Sequence, residues 1–284
     1  MTIANPTPDP LAATPDPDPD RVSYAIGMML DAVDFTDEQT YHRGRLARAL
    51  TALHGMGTIA GLRVRFAGGV ASADPANPTE EEIVVEGGLA IDALGRLVEV
   101  PRDACIRVAN WFAGQDPGDL RAALHGAPFG GVVVDLFLRF VSCERGKTPA
   151  FATGPFDALN AIAPSRVRDA YELKLVLRRE GTPPVPQSPW PPNTLSEGDR
   201  RAALREAIYT AWTRNRTRAR DSGGLIPEGF DQSAVFLARL VVPASAPADP
   251  NARPDRDITK PVAVDDSNRP FTYVPGAIAR WLGI

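Results

Sequence analysis

The pattern of hydrophobic and polar positions predicts three long strands. The first segment, residues 131–141 (GVVVDLFLRFV), is apolar on both faces except at Asp135 and Arg139, as expected of a central strand. The second segment, residues 171–178, alternates tyrosine and leucine with charged residues, and the third is residues 233–242 (SAVFLARLVV). Three such strands indicate a substantial sheet.

Two further segments have the period of an amphipathic helix. The first helix is predicted over residues 37–54, with Thr36 and Gln39 in the positions of a capping box. The second begins at Ser196, with Asp199 in the other capping position. Each helix has an apolar stripe that is expected to pack against another surface. The stripes are His42, Leu46, Leu50 and Leu53 in the first helix, and Leu204, Ile208 and Trp212 in the second.

Shorter strands are predicted between these elements. Residues 62–66 alternate as a half-buried strand, and residues 82–101 are interpreted as a β-meander with Ile91 and Val98 facing inward. The strand order lacks regular helical crossovers, which favours an α+β fold over a doubly wound α/β fold. We therefore predict an N-terminal helical segment, then a mainly antiparallel β-rich body with one further amphipathic helix.

Proline divides this sequence into segments. The 28 prolines among 284 residues cluster where a fixed φ and a missing N–H donor favour extended chain. The predicted organisation is an extended Pro/Asp-rich arm (1–22), a helical docking segment (23–57), a β-rich domain (58–182), a Pro-rich linker (183–195), a helix plus strand completing the body (196–243) and an extended C-terminal tail (244–284).

Gly55, Gly57 and Ala60 have the G-x-G-x-x-A spacing of a dinucleotide-binding loop. That loop requires a strand, then the glycines, then a helix, because the phosphates bind at the helix N-terminus. Here a helix precedes the glycines and a strand follows them. We therefore interpret Gly55 as the residue that ends the helix, and Gly57 and Gly61 as the flexible positions of a sharp corner.

Other patterns that could support chemistry are incomplete. Residues 146–148 (GKT) resemble part of a phosphate loop, but Val141 occupies the position of a required glycine and Pro149 prevents immediate entry into a helix. Glu38 and His42 could share a metal ion on one helix face, but a hydrogen-bonded pair is favoured because no third ligand is nearby. The sequence thus predicts no enzyme, no catalytic residue, no cofactor and no metal ion.

Charge also limits the partners. The net charge of −4 argues against nucleic acid. No apolar run is long enough to span a membrane and the N-terminus lacks the pattern of a leader, so synthesis and assembly in the cytoplasm are expected. Two interfaces are predicted: the arm, and arginines at the end of the second helix that either offset the helix dipole or bind the acidic arm of a neighbouring copy or subunit. Their residues are Pro6, Pro8, Pro10, Pro15, Pro17 and Pro19 in the arm, and Arg214, Arg216, Arg218 and Arg220 in the helix.

Three motifs together resemble a group of phage-tail-like proteins found with contractile injection systems. They are D-F-x-x-E-Q-x-Y, L-H-G-x-G-x-x-x-G-L-x-V and G-x-A-I-D-x-x-G-R-x-V-x-V-P, within a match spanning about residues 27–242. The matching residues are Asp34, Phe35, Glu38, Gln39, Tyr41, Leu53, His54, Gly55, Gly57, Gly61, Leu62, Gly88, Ala90, Ile91, Asp92, Gly95 and Arg96. This resemblance implies a baseplate- or tail-fibre-associated structural subunit whose partners are other particle subunits and copies of itself. It also implies that the chain becomes part of a released or cell-associated particle.

Two other functions stay open at this stage. A fibre-like adhesin that binds glycans or a cell surface would expose Trp190 or Trp281 beside polar residues, because aromatic faces stack on sugars. A hydrolase would need a pocket with converging carboxylates or a metal ion. The leading hypothesis is the non-enzymatic structural subunit of a contractile injection particle.

Overall fold

The computed structural model describes residues 20–68, 81–149, 162–187, 194–217, 225–273 and 278. Its helices are α1 (Ala32–His54), α2 (Val108–Ala113), α3 (Pro117–Ala122) and α4 (Glu197–Thr217). Its strands are β1 (Gly57–Gly61), β2 (Val64–Ala67), β3 (Glu82–Val85), β4 (Gly88–Ile91), β5 (Leu97–Val100), β6 (Ala104–Arg107), β7 (Leu124–His125), β8 (Gly131–Pro149), β9 (Ile162–Leu177), β10 (Val235–Ser245), β11 (Asp255–Arg256) and β12 (Ala263–Asp265). Helices combined with antiparallel sheets confirm the predicted α+β class.

The largest sheet is built around β8, as the continuous apolar pattern of that strand predicts. Its order is β11-β10-β8-β7, with β12 also pairing with β10 and β9 with β8. β10 pairs with β8 only between Gly131 and Leu138, whereas β9 pairs with it from Val134 to Pro149. The outer half of β8 and its partner β9 therefore continue beyond β10 as a two-stranded ribbon.

The predicted β-meander over residues 82–101 is wrong. β4 and β5 do pair, but β3 belongs to a second small sheet with order β2-β3-β6, while β4 lies in the sheet β1-β4-β5. The same two segments of chain pair in both sheets, and they bend between the sheets. Gly61 lies opposite Gly88 in one sheet, and Val64 lies opposite Val85 in the other, in the same register. Pairing between β3 and β4 is thus replaced by pairing with the earlier chain, which local periodicity cannot show.

Glycine makes this bend possible. Gly61 has φ 63° and Leu62 has φ 57°, so two consecutive residues adopt the left-handed conformation. A Cβ on Gly61 would lie 2.1 Å from the carbonyl oxygen of Gly87, and a Cβ on Gly88 would lie 2.3 Å from that of Ala60. This bend joins β1 to β2, whereas the predicted corner joins the helix to a strand. The prediction that Gly55 ends the helix is confirmed, since Gly55 is the C-cap of α1 with φ 70°. Backbone packing at the two sides of the bend requires residues without side chains.

The segment after β12 holds the corner against the body. The amide of Thr58 donates to the carbonyl of Pro270, and the amide of Thr272 donates back to the carbonyl of Thr58, both at 2.9 Å. The buried guanidinium of Arg269 donates to the carbonyls of Leu62 and Leu237 at 2.7 and 2.6 Å. Residues from the segment predicted as an extended C-terminal tail thus bond to both the corner and the large sheet.

Two apolar clusters cover the two faces of the large sheet. The main cluster joins alternate residues of β8 and β10 to the small sheets, α2 and α3, and includes Leu62, Leu136, Leu138, Leu237 and Leu240. A smaller cluster on the opposite face contains Phe137, Phe236, Leu225 and Ile226. Ile91 and Val98 are both 1% exposed, which confirms their predicted inward orientation.

Helix α1 begins five residues earlier than predicted. Its N-cap is Asp31, whose carboxylate accepts from the amides of Val33 and Asp34, while the Asp34 side chain accepts from the amide of Asp31. Thr36 lies inside the helix, where its hydroxyl donates to the carbonyl of Ala32 at 2.8 Å. Two capping patterns compete here, and the aspartate pair forms the reciprocal bonds.

Candidate subunit interface

Large apolar side chains are exposed where the described chain enters α1. Ile26 is 108% exposed and Met29 is 92% exposed, and they are flanked by exposed Tyr24, Val33 and Phe35. Burying such side chains is favourable by about 1.5–3 kcal/mol each, so a surface of this kind is typical of a contact site. We call residues 24–35 the entry segment.

The apolar stripe of α1 is also exposed, contrary to the prediction that it packs. Leu46 is 56% exposed and Leu53 is 78% exposed, and His42 is exposed as well. The helix instead contacts the body through Ala47, where a Cβ on Gly95 would lie 2.0 Å from the Ala47 carbonyl oxygen. Small residues allow this close approach, and of the predicted stripe Leu50 is half-buried beside it.

The other predicted amphipathic helix has the same property. The Ser196 hydroxyl accepts from the amide of Asp199 and donates to its carboxylate, which confirms the predicted cap of α4. Leu204 is 43% exposed and Ile208 56%, so this part of the predicted stripe is exposed too, and the neighbouring Tyr209 is 74% exposed. The two longest helices of the described chain therefore present apolar side chains to solvent.

The third motif of the resemblance forms a rigid hairpin between β4 and β5. The Asp92 carboxylate accepts from the amides of Leu94 and Arg96 and from the Arg96 guanidinium at 2.6 Å. The same guanidinium donates to Ser233 and lies 4.6 Å from the ring centroid of Phe140. Burial raises the pKa of Asp92, and the charge of Arg96 opposes that shift. These bonds explain the D-x-x-G-R spacing as structural.

A second buried ion group ties the three long strands together. Asp135 on β8 accepts from two nitrogens of Arg239 on β10 at 2.8 and 2.9 Å, and lies 3.5 Å from Arg178, which follows β9. Asp135 and Arg178 are both 0% exposed. Burial raises the pKa of Asp135, while the two guanidiniums lower it. Backbone carbonyls also accept from these guanidiniums: Leu225 from Arg178, and Pro183 and Pro184 from Arg239.

Most of the predicted interface residues lie outside the described part of the chain. Pro6, Pro8, Pro10, Pro15, Pro17 and Pro19, together with Arg218 and Arg220, lie outside the described residues. Arg214 and Arg216 lie in the last turn of α4, and their side chains are also outside the description. Trp190 and Trp281 also lie outside the described residues, so the adhesin alternative stays a hypothesis. The predicted arm and arginine patch stay predictions.

The sequence patterns that could support chemistry lie in the loop after α1, on α1 itself and in β8. Gly57 follows α1 and begins β1, with Pro270 2.7 Å from where its Cβ would be, so this loop faces the C-terminal end of a helix. On α1, Nε2 of His42 lies 3.9 Å from Oε1 of Glu38. Within the described ranges, no three histidine, cysteine or acidic residues lie together as a metal site would require. Residues 146–148 are part of β8.

Comparisons with known proteins give only weak likeness. No family model matches the chain, and no curated protein matches it. Among solved structures, the chain is similar to TssK with a TM-score of 0.32 and 12% identity, over 84% of this chain and 41% of that one. The chain therefore spans less than half the length of TssK, and a TM-score this low carries no argument about fold or function. None of the described helices is long and apolar enough to cross a membrane.

Proposed function

We propose that the chain is a non-enzymatic structural subunit of a phage-tail-like contractile injection particle, associated with the baseplate and acting through protein–protein contacts. The observation that carries this proposal is the exposed apolar surface of the entry segment and α1. Ile26, Met29 and Leu53 each expose more than three quarters of their surface. Such a surface favours a partner that buries it.

The division between a rigid body and protruding elements supports the same role. Buried ion pairs at Asp92 and Asp135 fix the hairpin and the long strands, while α1, α4 and the β8–β9 ribbon keep exposed faces. The interface backbone of pre-organised complexes moves little on binding, so a fixed frame with exposed contact elements suits a subunit that joins neighbours. The assignment to a contractile injection particle rests on the three-motif resemblance.

An affinity-tagged chain expressed in its source cells tests the proposal. We expect the chain to purify together with sheath, tube and spike proteins, identified by mass spectrometry, at a fixed ratio. A matched tagged variant, Ile26→Ser with Met29→Ser, should lose these partners while keeping the same unfolding curve. Purification of the unaltered chain without any sheath, tube or spike protein would contradict the proposal.

A further inference from the structure

The ribbon formed by β8 and β9 beyond the sheet has an unusual charge distribution. We define this ribbon as residues 143–149 and 162–168, whose side chains are exposed or half-exposed. It contains Arg145, Lys147, Arg166 and Arg168 against a single acid, Glu144, in a chain of net charge −4. Positive charge is thus concentrated on a protruding element.

The strand register places these four cations on one face. Arg145 lies directly opposite Arg166, and Lys147 lies opposite Pro164, two residues before Arg166. Arg168 is two residues beyond Arg166, so it shares the same side of β9. Glu144 lies opposite Val167 on the other face. We call the side with Arg145, Lys147, Arg166 and Arg168 the cationic face.

Nothing in the described chain neutralises the cationic face. Among the described residues, no carboxylate lies within 4.0 Å of these four side chains, in contrast to Arg139, which is ion-paired with Glu172 on the same face nearer the body. Like charges directly opposite one another, as at Arg145 and Arg166, destabilise a strand pair. An acidic ligand that lies along the ribbon would remove this repulsion.

The sequence contains an acidic segment of opposite charge. Residues 1–20 contain Asp9, Asp16, Asp18 and Asp20 and no lysine, arginine or glutamate. The side chains of this segment thus carry only negative charge, which complements the cationic face.

We propose that the cationic face binds the acidic arm, residues 1–20, of a second copy of this chain. Helix α1 approaches the base of the ribbon from the opposite face, since Arg43 and Leu46 line a shallow cavity with Phe140 and Asp169. Phe140 and Asp169 share the face of Glu144, because Asp169 lies opposite Ser142. Helix α1, to which the arm is joined in sequence, thus lies on the side of the ribbon away from the cationic face, which favours the arm of a second copy as the occupant.

This inference deepens the proposed assembly function and rests on it, because it names one pair of surfaces by which copies join. Two full-length charge variants test the pairing by sedimentation velocity at low ionic strength. The ribbon variant is Arg166→Glu with Arg168→Glu, and the arm variant is Asp16→Lys with Asp18→Lys. Each alone should weaken self-association by roughly tenfold, since each creates like-charged surfaces.

Mixing the two variants is the decisive measurement. The normal arm of the ribbon variant then meets the normal ribbon of the arm variant, and the two reversed surfaces also match, so association should return. It should weaken again at about 0.3 M salt, where the Debye length is roughly 6 Å. A control with the same charge change, Arg200→Glu with Arg205→Glu on the exposed surface of α4, should associate like the unaltered chain.

Three outcomes would overturn the pairing. They are unchanged self-association of both variants, a mixture that stays dissociated, and loss in only one of the two variants. Loss in the ribbon variant alone would assign the cationic face to another acidic surface of this chain. A chain that purifies with sheath, tube and spike proteins but gives one of these results would leave the proposed function intact. A chain that shows the pairing but never enters a particle would contradict the proposed function alone.

Discussion

Asp135 shows how a single residue can join three strands that are far apart in sequence. Its carboxylate bonds to Arg239 and faces Arg178, and all three side chains are at least nine-tenths buried. A buried charge is costly unless it is paired and hydrogen-bonded. The pattern of apolar residues in β8 makes Asp135 noticeable in the sequence, but its partners come from segments more than 40 residues away.

Replacing Asp135 by asparagine should strongly destabilise the fold. The substitution leaves the buried Arg239 without its carboxylate, and removing one partner of a buried ion pair costs about 3–5 kcal/mol. Urea denaturation should show a loss of this size in the free energy of unfolding. Glu144→Gln, the same chemical change at an exposed position of the same strand, should alter it by less than about 0.5 kcal/mol. Equal, small effects of both substitutions would contradict a structural role for Asp135.

Asp257 predicts a defined dependence of stability on pH. Hydrogen bonds from Thr259 and the neighbouring Lys260 lower the pKa of Asp257 to about 2. Because the folded pKa lies below the ordinary value, the stabilisation is present above about pH 4 and disappears as the pH falls through 2. Thermal unfolding should therefore show a lower Tm for Asp257→Asn at pH 7, and the difference should shrink as the pH falls toward 2. A Tm difference that grows as the pH falls would contradict this assignment.

At the level of elements, the glycine corner connects local sequence to the bent pair of strands. The order helix, glycines, strand predicts a corner between the helix and a strand, and the positive φ of Gly61 instead produces a bend between β1 and β2. Position 88 requires glycine because a Cβ there would contact the carbonyl oxygen of Ala60, which is distant in sequence. The sequence therefore indicates one side of the corner and not the other.

Gly61→Ala should destabilise the protein by about 2–4 kcal/mol, because a Cβ there combines left-handed backbone strain with a 2.1 Å approach to the Gly87 carbonyl oxygen. Chemical denaturation measures the loss. Gly126→Ala is the matched control, since nothing lies within 4 Å of a Cβ at that position, and it should stay within about 0.5 kcal/mol. A neutral Gly61→Ala would show that the corner tolerates side chains.

Strand existence could be predicted from the sequence more fully than strand pairing. The periodicity of β8, β9 and β10 is local and strong, so all three were predictable. The partners of β3 depend on β2 and β6, and the interpretation of residues 82–101 as a meander fails for that reason. The start of α1 fails for a different reason, because two capping patterns five residues apart compete and their bonds decide between them.

For the whole molecule, the candidate interface is identified from apolar side chains that are exposed in the fold. The period of the apolar residues along the sequence does not determine which of them are exposed. An apolar stripe predicts that a helix packs, but it does not say whether the partner lies within the same chain. The stripe of α1 with Leu46 and Leu53 is exposed, and Ala47 makes the contact with the body instead. The grouping of four cations on one face of the ribbon depends on the register of β8 and β9, which local sequence patterns do not determine.

The exposed entry segment leads to a prediction about assembly. Ile26→Ser with Met29→Ser should leave the free energy of unfolding within about 0.5 kcal/mol, because both side chains are exposed in the free chain. The same variant should be depleted at least about tenfold from particles, as expected when a contact site loses two large apolar side chains. Gradient centrifugation with quantitative mass spectrometry measures that depletion. Ile258→Ser, at a 75% exposed position outside this surface, serves as the control and should enter particles normally.

The most direct test is electron microscopy of contractile particles from cells that produce the tagged chain, with the tag labelled by gold. We predict labels at the baseplate end of the particles, in a constant number per particle. Particles that are complete and carry no label, while the tagged chain sediments separately as a monomer, would contradict the account.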